Sequence, residues 1–315
     1  MHQMVVELFN RVRFFSSASV LGAIALSLIF SDLLGKDSMG WQVIVAITAL
    51  AIGIPHGALD HLITLPKSRP MKMMLFVTVY VAIAILAVIG ILKFNTIGFW
   101  VVLLMSAIHF GVGDAAFINE IDKRSEVNNA LNRFFYIPAA GFTPVFIPLV
   151  NSASTDALSK VNSSLIDWHQ GFDSEILAFV TSFSVLSIVV LFGKKRFRES
   201  IDLILLLVLA LVTPPLIAFA VYFGCWHAMR HTARLTLSLP KCQRYLEQSH
   251  QGKAFLSAVV PGLPALVGTF VVAAGLALNG RDFSDSFLWM ALVVVWALTV
   301  PHMAVTAKLD KAALT

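Results

Sequence analysis

Long apolar runs, separated by short polar connections, follow one another along almost the whole chain. A helix needs about 20 apolar residues to cross a bilayer, and most of these runs reach or approach that length. Backbone groups inside lipid must be hydrogen-bonded within the protein, which favours helices. The pattern predicts an all-α, polytopic transmembrane bundle of about ten helical segments, with eight to ten as the range. The predicted segments are residues 17–34, 41–65, 73–92, 96–118, 133–151, 175–193, 199–213, 216–238, 255–278 and 285–307.

The stretch 199–238 could be one long helix or two helices separated at Thr213, Pro214 and Pro215. Proline lacks the amide donor and collides with the preceding turn, so the Pro-Pro pair favours a break. With the break and a cytoplasmic N-terminus, most of the 23 Lys and Arg residues fall in segments on the inner side, as the positive-inside rule requires. We therefore expect a protein of the cell (inner) membrane with both termini cytoplasmic. Arg234 is expected in an inner loop, where its replacement should have little effect.

Composition agrees with a membrane protein. Of the 315 residues, 58% are hydrophobic and only 13% are charged, whereas about a quarter are charged in soluble domains. No soluble domain is indicated, so residues 1–315 are interpreted as a single integral-membrane domain. The longest polar connection, 152–174, is predicted on the outer side, where it could form an interfacial helix. The net charge of +5 reflects topology and does not suggest a nucleic-acid partner.

Histidines occur inside the apolar segments, where ionisable groups are costly and usually functional. They lie in four motifs, GIPHGALDH (53–61), IHFGVGD (108–114), CWHAMRH (225–231) and VPHM (300–303). In the ten-segment topology all four motifs lie on segments that run from outside to inside, so their histidines can meet in the inner half of the membrane. His227 and His231 are spaced i, i+4 and share a helix face. Neutral imidazole ligates Fe, Zn, Cu and Ni. A layer of four such nitrogens, drawn from the histidines of these motifs, could hold a metal with one or two coordination positions open.

Further polar residues accompany these histidines. A carboxylate near a metal-bound imidazole commonly accepts its second N–H, so Asp60 and Asp114 are candidates for that supporting role. Asp60 could serve a histidine of another helix, or form a salt bridge with Arg230. His302 and His61 are possible additional ligands, although an intramembrane histidine can also be a packing residue that hydrogen-bonds between helices. For His61 a position facing the inner interface is the simpler interpretation.

The ordered set GIPHGALDH, HFGVGD, WHAMRH and PHM resembles the Brp/Blh family of β-carotene 15,15'-dioxygenases, over roughly residues 53–303. The resemblance implies an all-helical membrane enzyme that uses Fe(II) and O2 to cleave the central double bond of β-carotene into two molecules of retinal. It implies that His56, His109, His227 and His231 bind the iron. β-Carotene stays in membrane lipid, and the retinal would be passed to a microbial rhodopsin.

Other classes of membrane protein also use intramembrane histidines. Di-iron desaturases and hydroxylases carry HxxxH and HxxHH clusters, but only WHAMRH has the first form here and the second does not occur. A transporter for a metal ion or a proton could use the same His and Asp residues, although the sequence lacks the internal repeat of many transporters. A haem-binding protein could use histidine pairs as axial ligands. The metal content and the presence of a Soret band distinguish these alternatives.

Overall fold

The computed structural model of the chain describes residues 2–30, 39–64, 69–125, 127–278 and 283–315. Over these residues the protein is helical and contains no strand, so the prediction of an all-α bundle is confirmed. The first half contains α1 (His2–Ile29), α2 (Met39–Gly57), α3 (Asp60–Thr64), α4 (Pro70–Lys93), α5 (Asn95–Arg124), α6 (Arg133–Val150) and α7 (Ala153–Val161). The second half contains α8 (Asp173–Gly193), α9 (Phe197–Val212), α10 (Pro215–Ala220), α11 (Met229–Leu235), α12 (Pro240–Glu247), α13 (Gln251–Val259), α14 (Leu263–Ala277) and α15 (Phe283–Leu314).

Eight helices of the described chain are long and apolar enough to cross a membrane. The other two predicted segments are also helical. One is α9, with 16 residues, and the other is the continuous run of α10, a π-helix at Val221–Ala228 and α11. The predicted break is confirmed, because α9 ends at Val212 and α10 begins at Pro215.

Helix α1 begins much earlier than the predicted segment 17–34. Its first half buries Val5, Leu8, Phe9 and Val12, whose i, i+3, i+4, i+7 spacing forms one apolar face. Arg13 lies on the same half and is buried as well. The charged residues lowered the apparent hydropathy of this half, so the sequence pattern placed the start of the segment too late.

Helix α5 occupies the centre of the bundle and contacts α1, α4, α6, α11 and α15. Its approach to α6 is very close. A Cβ atom at Gly111 would collide with the carbonyl oxygen of Ile137, and one at Gly141 would collide with that of Ala107. The two glycines therefore allow the backbones of α5 and α6 to touch at the level of the histidine motif of α5.

A chain of buried ion pairs joins α1, α5 and α9. Arg13 of α1 lies 2.9 Å from Glu199 Oε1 and 2.9 Å from Asp202 Oδ2, both on α9. Arg196, just before α9, lies 2.8 Å from Glu199 and 2.8 Å from Asp122 of α5. The charges alternate in sign, so each buried group faces an opposite charge.

The chain of ion pairs continues to α11 through Arg230. Its guanidinium lies 2.7 Å from Asp114 of α5 and 3.4 Å from Asp202 of α9. The same guanidinium stacks on the Trp226 ring, 3.6 Å from its centroid. Because Asp202 faces both Arg13 and Arg230, the network fixes α1, α5, α9 and α11 relative to one another.

We expect Arg13→Ala to destabilise the bundle by about 3–5 kcal/mol, because it leaves buried carboxylates without their partner. The matched control is Arg11→Ala on the same helix. The side chain of Arg11 is 60% exposed in its pair with Glu7, so its loss should cost less than about 1 kcal/mol. Thermal unfolding of both variants in detergent measures the difference. Equal melting temperatures would contradict a structural role for the network.

We expect Gly111→Ala to lower the melting temperature and the yield of folded protein, because the new methyl group meets a backbone carbonyl that cannot move aside. Gly90→Ala in α4 is the matched control, since nothing lies within 4 Å of a Cβ atom there. The control should be as stable as the wild type or more so. A Gly111→Ala variant that melts at the wild-type temperature would show that α5 and α6 can move apart without loss of stability.

Candidate metal centre

The four motifs bring five histidines into one buried cluster, formed by His56, His109, His227, His231 and His302. Each ring is at most 6% exposed. The ring centroid of His56 lies 5.3 Å from that of His227, 5.1 Å from that of His231 and 5.3 Å from that of His302. The centroid of His109 lies 4.9 Å from that of His227 and 5.2 Å from that of His302. All four candidate ligands thus meet, together with the additional candidate His302.

Irregular turns position three of these histidines. Proline lies inside the helix immediately before His56 and before His302, at Pro55 and Pro301. A proline inside a helix removes one hydrogen bond of the ladder and bends the helix. His227 lies in the π-helix at Val221–Ala228, a wider turn that is common at functional sites. The sequence analysis did not predict this π-helix, because no pattern of residue types identifies a π-helix.

Ring nitrogens of the cluster lack hydrogen-bond partners. Buried polar atoms in proteins are nearly always hydrogen-bonded, so such exceptions need an explanation. The unprotonated nitrogen of a neutral imidazole can bind a metal ion when no hydrogen-bond donor occupies it. In the part of the chain that the structure describes, the unpartnered atoms are His56 Nδ1, His109 Nε2, His227 Nε2, both nitrogens of His231 and His302 Nε2.

The ligand role itself stays a prediction. Among the described residues, no three His, Cys, Asp or Glu side chains are arranged as a group that could hold a metal ion in their present positions. The donor chemistry and the unpartnered nitrogens fit a metal, but the side chains in these positions do not form a metal-binding group.

Asp60 holds His302. Its two carboxylate oxygens lie 3.0 and 2.9 Å from Nδ1 of His302, and the Tyr80 hydroxyl donates to Oδ2 at 3.0 Å. Of the two alternatives for Asp60, the structure therefore favours a histidine on another helix. The salt bridge with Arg230 is wrong, because Arg230 pairs with Asp114 and Asp202. Tyr80 was missed by the sequence analysis; its hydroxyl on the otherwise apolar α4 was the available signal.

The other two supporting candidates lie differently. The hydrogen bonds of Asp114 go to the Tyr136 hydroxyl, at 2.5 Å, and to Arg230, at 2.7 Å. It therefore belongs to the network of ion pairs. His61 is half-buried, and its Nδ1 lies 3.1 Å from the carbonyl oxygen of Ala58. No ring contact among the described residues joins it to the five clustered histidines.

The prediction that Arg234 lies in an inner loop is wrong, and with it the reason for expecting that its replacement has little effect on turnover. Helix α11 extends to Leu235, and Arg234 is 1% exposed. Its Nη1 donates to Asp310 Oδ1 of α15 at 2.5 Å. Removing it would leave a buried carboxylate unpaired on the same helix that carries His302.

A cavity of about 430 Å³ adjoins the cluster. Four histidines of the cluster, His56, His109, His227 and His302, lie on its wall together with Asp60. The rest of the wall is mainly aliphatic and aromatic and comes from α2, α4, α5, α6, α7, α10, α14 and α15. His61 also lies on this wall, and a few further polar residues, including Ser154 of α7, occur away from the cluster.

Comparison with known families decides the assignment. The sequence model of the family described as beta-carotene 15,15'-dioxygenase matches residues 47–310, which include all four histidine motifs. This chain belongs to that family. No solved structure is significantly similar to it.

Two curated relatives of this dioxygenase family member are of similar length. One, from Halobacterium salinarum, is named "Probable beta-carotene 15,15'-dioxygenase Blh" and is 24% identical over 300 residues, covering 84% of this chain and 83% of the relative. The other, from an uncultured marine bacterium 66A03, is named "Beta-carotene 15,15'-dioxygenase". It is 24% identical over 265 residues, covering 80% of this chain and 88% of the relative. The resemblance drawn from the motifs is confirmed at the level of the family.

Proposed function

We propose that this protein is an Fe(II)-dependent oxygenase that cleaves the central double bond of β-carotene with O2 and releases two molecules of retinal. The observation that carries the proposal is the cluster of five buried histidines with unpartnered nitrogens, four of which lie on the wall of a mainly apolar cavity. Membership in the dioxygenase family supplies the substrate and the reaction.

His56, His109, His227 and His231 would hold the iron. They come from α2, α5 and the continuous run of the π-helix and α11, so the packing of three helical segments keeps them together. Fe(II) bound there would supply the redox chemistry that makes O2 reactive toward a carbon–carbon double bond.

His302 would be a fifth ligand. Because its Nδ1 faces Asp60, the carboxylate accepts the N–H of the ring and leaves Nε2 unprotonated toward the cluster. The Tyr80 hydroxyl holds Asp60 in turn. Such an outer partner fixes the tautomer and the direction of a metal-bound imidazole.

The rest of the protein would bind and orient the hydrocarbon. The apolar side chains of the wall form no hydrogen bonds, and neither does a polyene. The substrate can therefore be bound by burial of its apolar surface. The polyene contains many similar double bonds. Which of them is cleaved then depends on where the substrate lies along the cavity rather than on acid–base groups. Substrate would enter from membrane lipid, and retinal would leave the same way, for example toward a microbial rhodopsin.

We expect bacteria that accumulate β-carotene to lose the pigment and form retinal when they express the wild-type chain. His109→Ala should abolish retinal formation and reduce the iron bound per purified chain, because it removes a central member of the cluster. The matched control is His250→Ala, whose side chain is exposed outside the cluster; it should behave as the wild type. Chromatography of lipid extracts and elemental analysis are the measurements.

The outcomes separate the candidate functions. Unchanged β-carotene in cells that contain iron-loaded protein would contradict the oxygenase and favour a metal transporter. A Soret band in the purified protein would favour haem. Full activity of His109→Ala would remove His109 from the site.

We expect Asp60→Asn to weaken iron binding roughly 10- to 100-fold, the usual effect of losing a carboxylate behind a metal-bound histidine. Tyr80→Phe should have a smaller effect, because it leaves the contact between Asp60 and His302 intact. Iron retained per chain in a chelator titration measures both. Wild-type retention by Asp60→Asn would show that Asp60 does not orient a ligand.

A further inference from the structure

The cavity beside the histidine cluster is long and follows the helices. Along α15 its wall extends from Leu288 to His302, and along α5 from Phe99 to His109. At 1.5 Å of rise per residue these stretches are roughly 21 and 15 Å long. The histidines lie at one end of this length, so the cavity has a deep arm that leads away from them.

Helix α7 forms part of the wall at the far end of the deep arm. Leu158 and Val161 of α7 lie on the cavity wall beside Pro148 of α6, and Leu158 is buried. The helix contacts α6, α10 and α15, and the Ser154 hydroxyl donates to the carbonyl oxygen of Pro148. The end wall is therefore tied to three helices of the bundle.

The segment after α7 anchors the end wall from behind. Trp168 is fully buried, and its ring meets that of Phe99 edge-on at 5.8 Å. The indole N–H of Trp100 donates to the carbonyl oxygen of Trp168 at 2.9 Å. Such a wall would resist displacement by a ligand that presses against it.

The length of the deep arm is close to that of one half of an extended carotenoid, from the ring to the central bond, and well short of the whole molecule. The second half must therefore pass beyond the histidines. There the cavity wall includes Phe76, Val77 and Tyr80 of α4, and Val77 is 44% exposed on the outside of the bundle. A single helix separates this region from lipid.

We propose that Leu158 and Val161 form the stop that selects the central bond. This inference rests on the proposed function. One ring of β-carotene seats against the two side chains, and the depth of the arm then places the midpoint of the polyene at the histidines. In the reaction the central double bond breaks, and O2 supplies one oxygen atom to each of the two new aldehydes, so no other reductant or proton donor is required.

The test compares the cleavage products of wall variants. Leu158→Ala deepens the arm, so the substrate slides past its central position and yields one fragment longer and one shorter than retinal. Leu165→Ala is the matched control: Leu165 is a fully buried leucine of the same outer segment that is not on the cavity wall. It should yield retinal alone. Val161→Ala provides a milder version should Leu158→Ala fold poorly.

The opposite change shortens the arm. Leu158→Trp should slow cleavage of β-carotene by about 100-fold, since a displacement of about 1 Å at the reacting atoms can cost that much. An apocarotenal that lacks one ring should still be cleaved centrally by this variant at the wild-type rate, because its truncated arm fits the shortened cavity.

Retinal as the sole product of both Leu158→Ala and Val161→Ala, at the wild-type rate, would overturn the stop while leaving the proposed function intact. A wild-type protein that forms no retinal would overturn the proposed function itself, and the stop with it.

Discussion

Charged and polar groups inside a membrane bundle must find their partners within the bundle, because lipid offers none. Most of the buried charges here obey this constraint by pairing between helices, as Arg13 does with Asp202 and Arg230 with Asp114. The clustered histidines differ, because they group several unpartnered nitrogens in one place. Two of the elements that carry them, α5 and α11, are held together by the ion pair between Asp114 and Arg230. The same constraint that stabilises the bundle therefore marks the position of the chemistry.

The histidines reach that position through local departures from regular helix. Pro55 and Pro301 each precede a histidine, and a π-helix carries His227. Close backbone contact between α5 and α6 at Gly111 completes the arrangement. Each departure sacrifices regular hydrogen bonds or side-chain volume. Each also leaves room for an imidazole ring, in a space that regular helices with larger side chains would fill.

The cavity and the histidine cluster have separate roles in the proposed reaction. A hydrocarbon substrate offers no group that could be recognised by hydrogen bonds, so it can be positioned only by the shape and the length of an apolar space. The histidines, Asp60 and Tyr80 are grouped in one part of the wall of that space. Orientation of the metal ligands and orientation of the substrate thus depend on different residues, which separate variants can test.

The sequence by itself determined the all-α class, the helical segments, the break before Pro215 and the four histidine motifs, because these follow from local hydropathy, proline chemistry and residue identity. Only the tertiary structure decided that α1 starts at His2, that Arg234 is buried against Asp310, and that Asp60 faces His302 rather than Arg230. Those outcomes depend on how each helix is rotated and how it crosses its neighbours. Local periodicity does not specify either quantity, since a polar residue in an apolar helix can turn toward any of several partners.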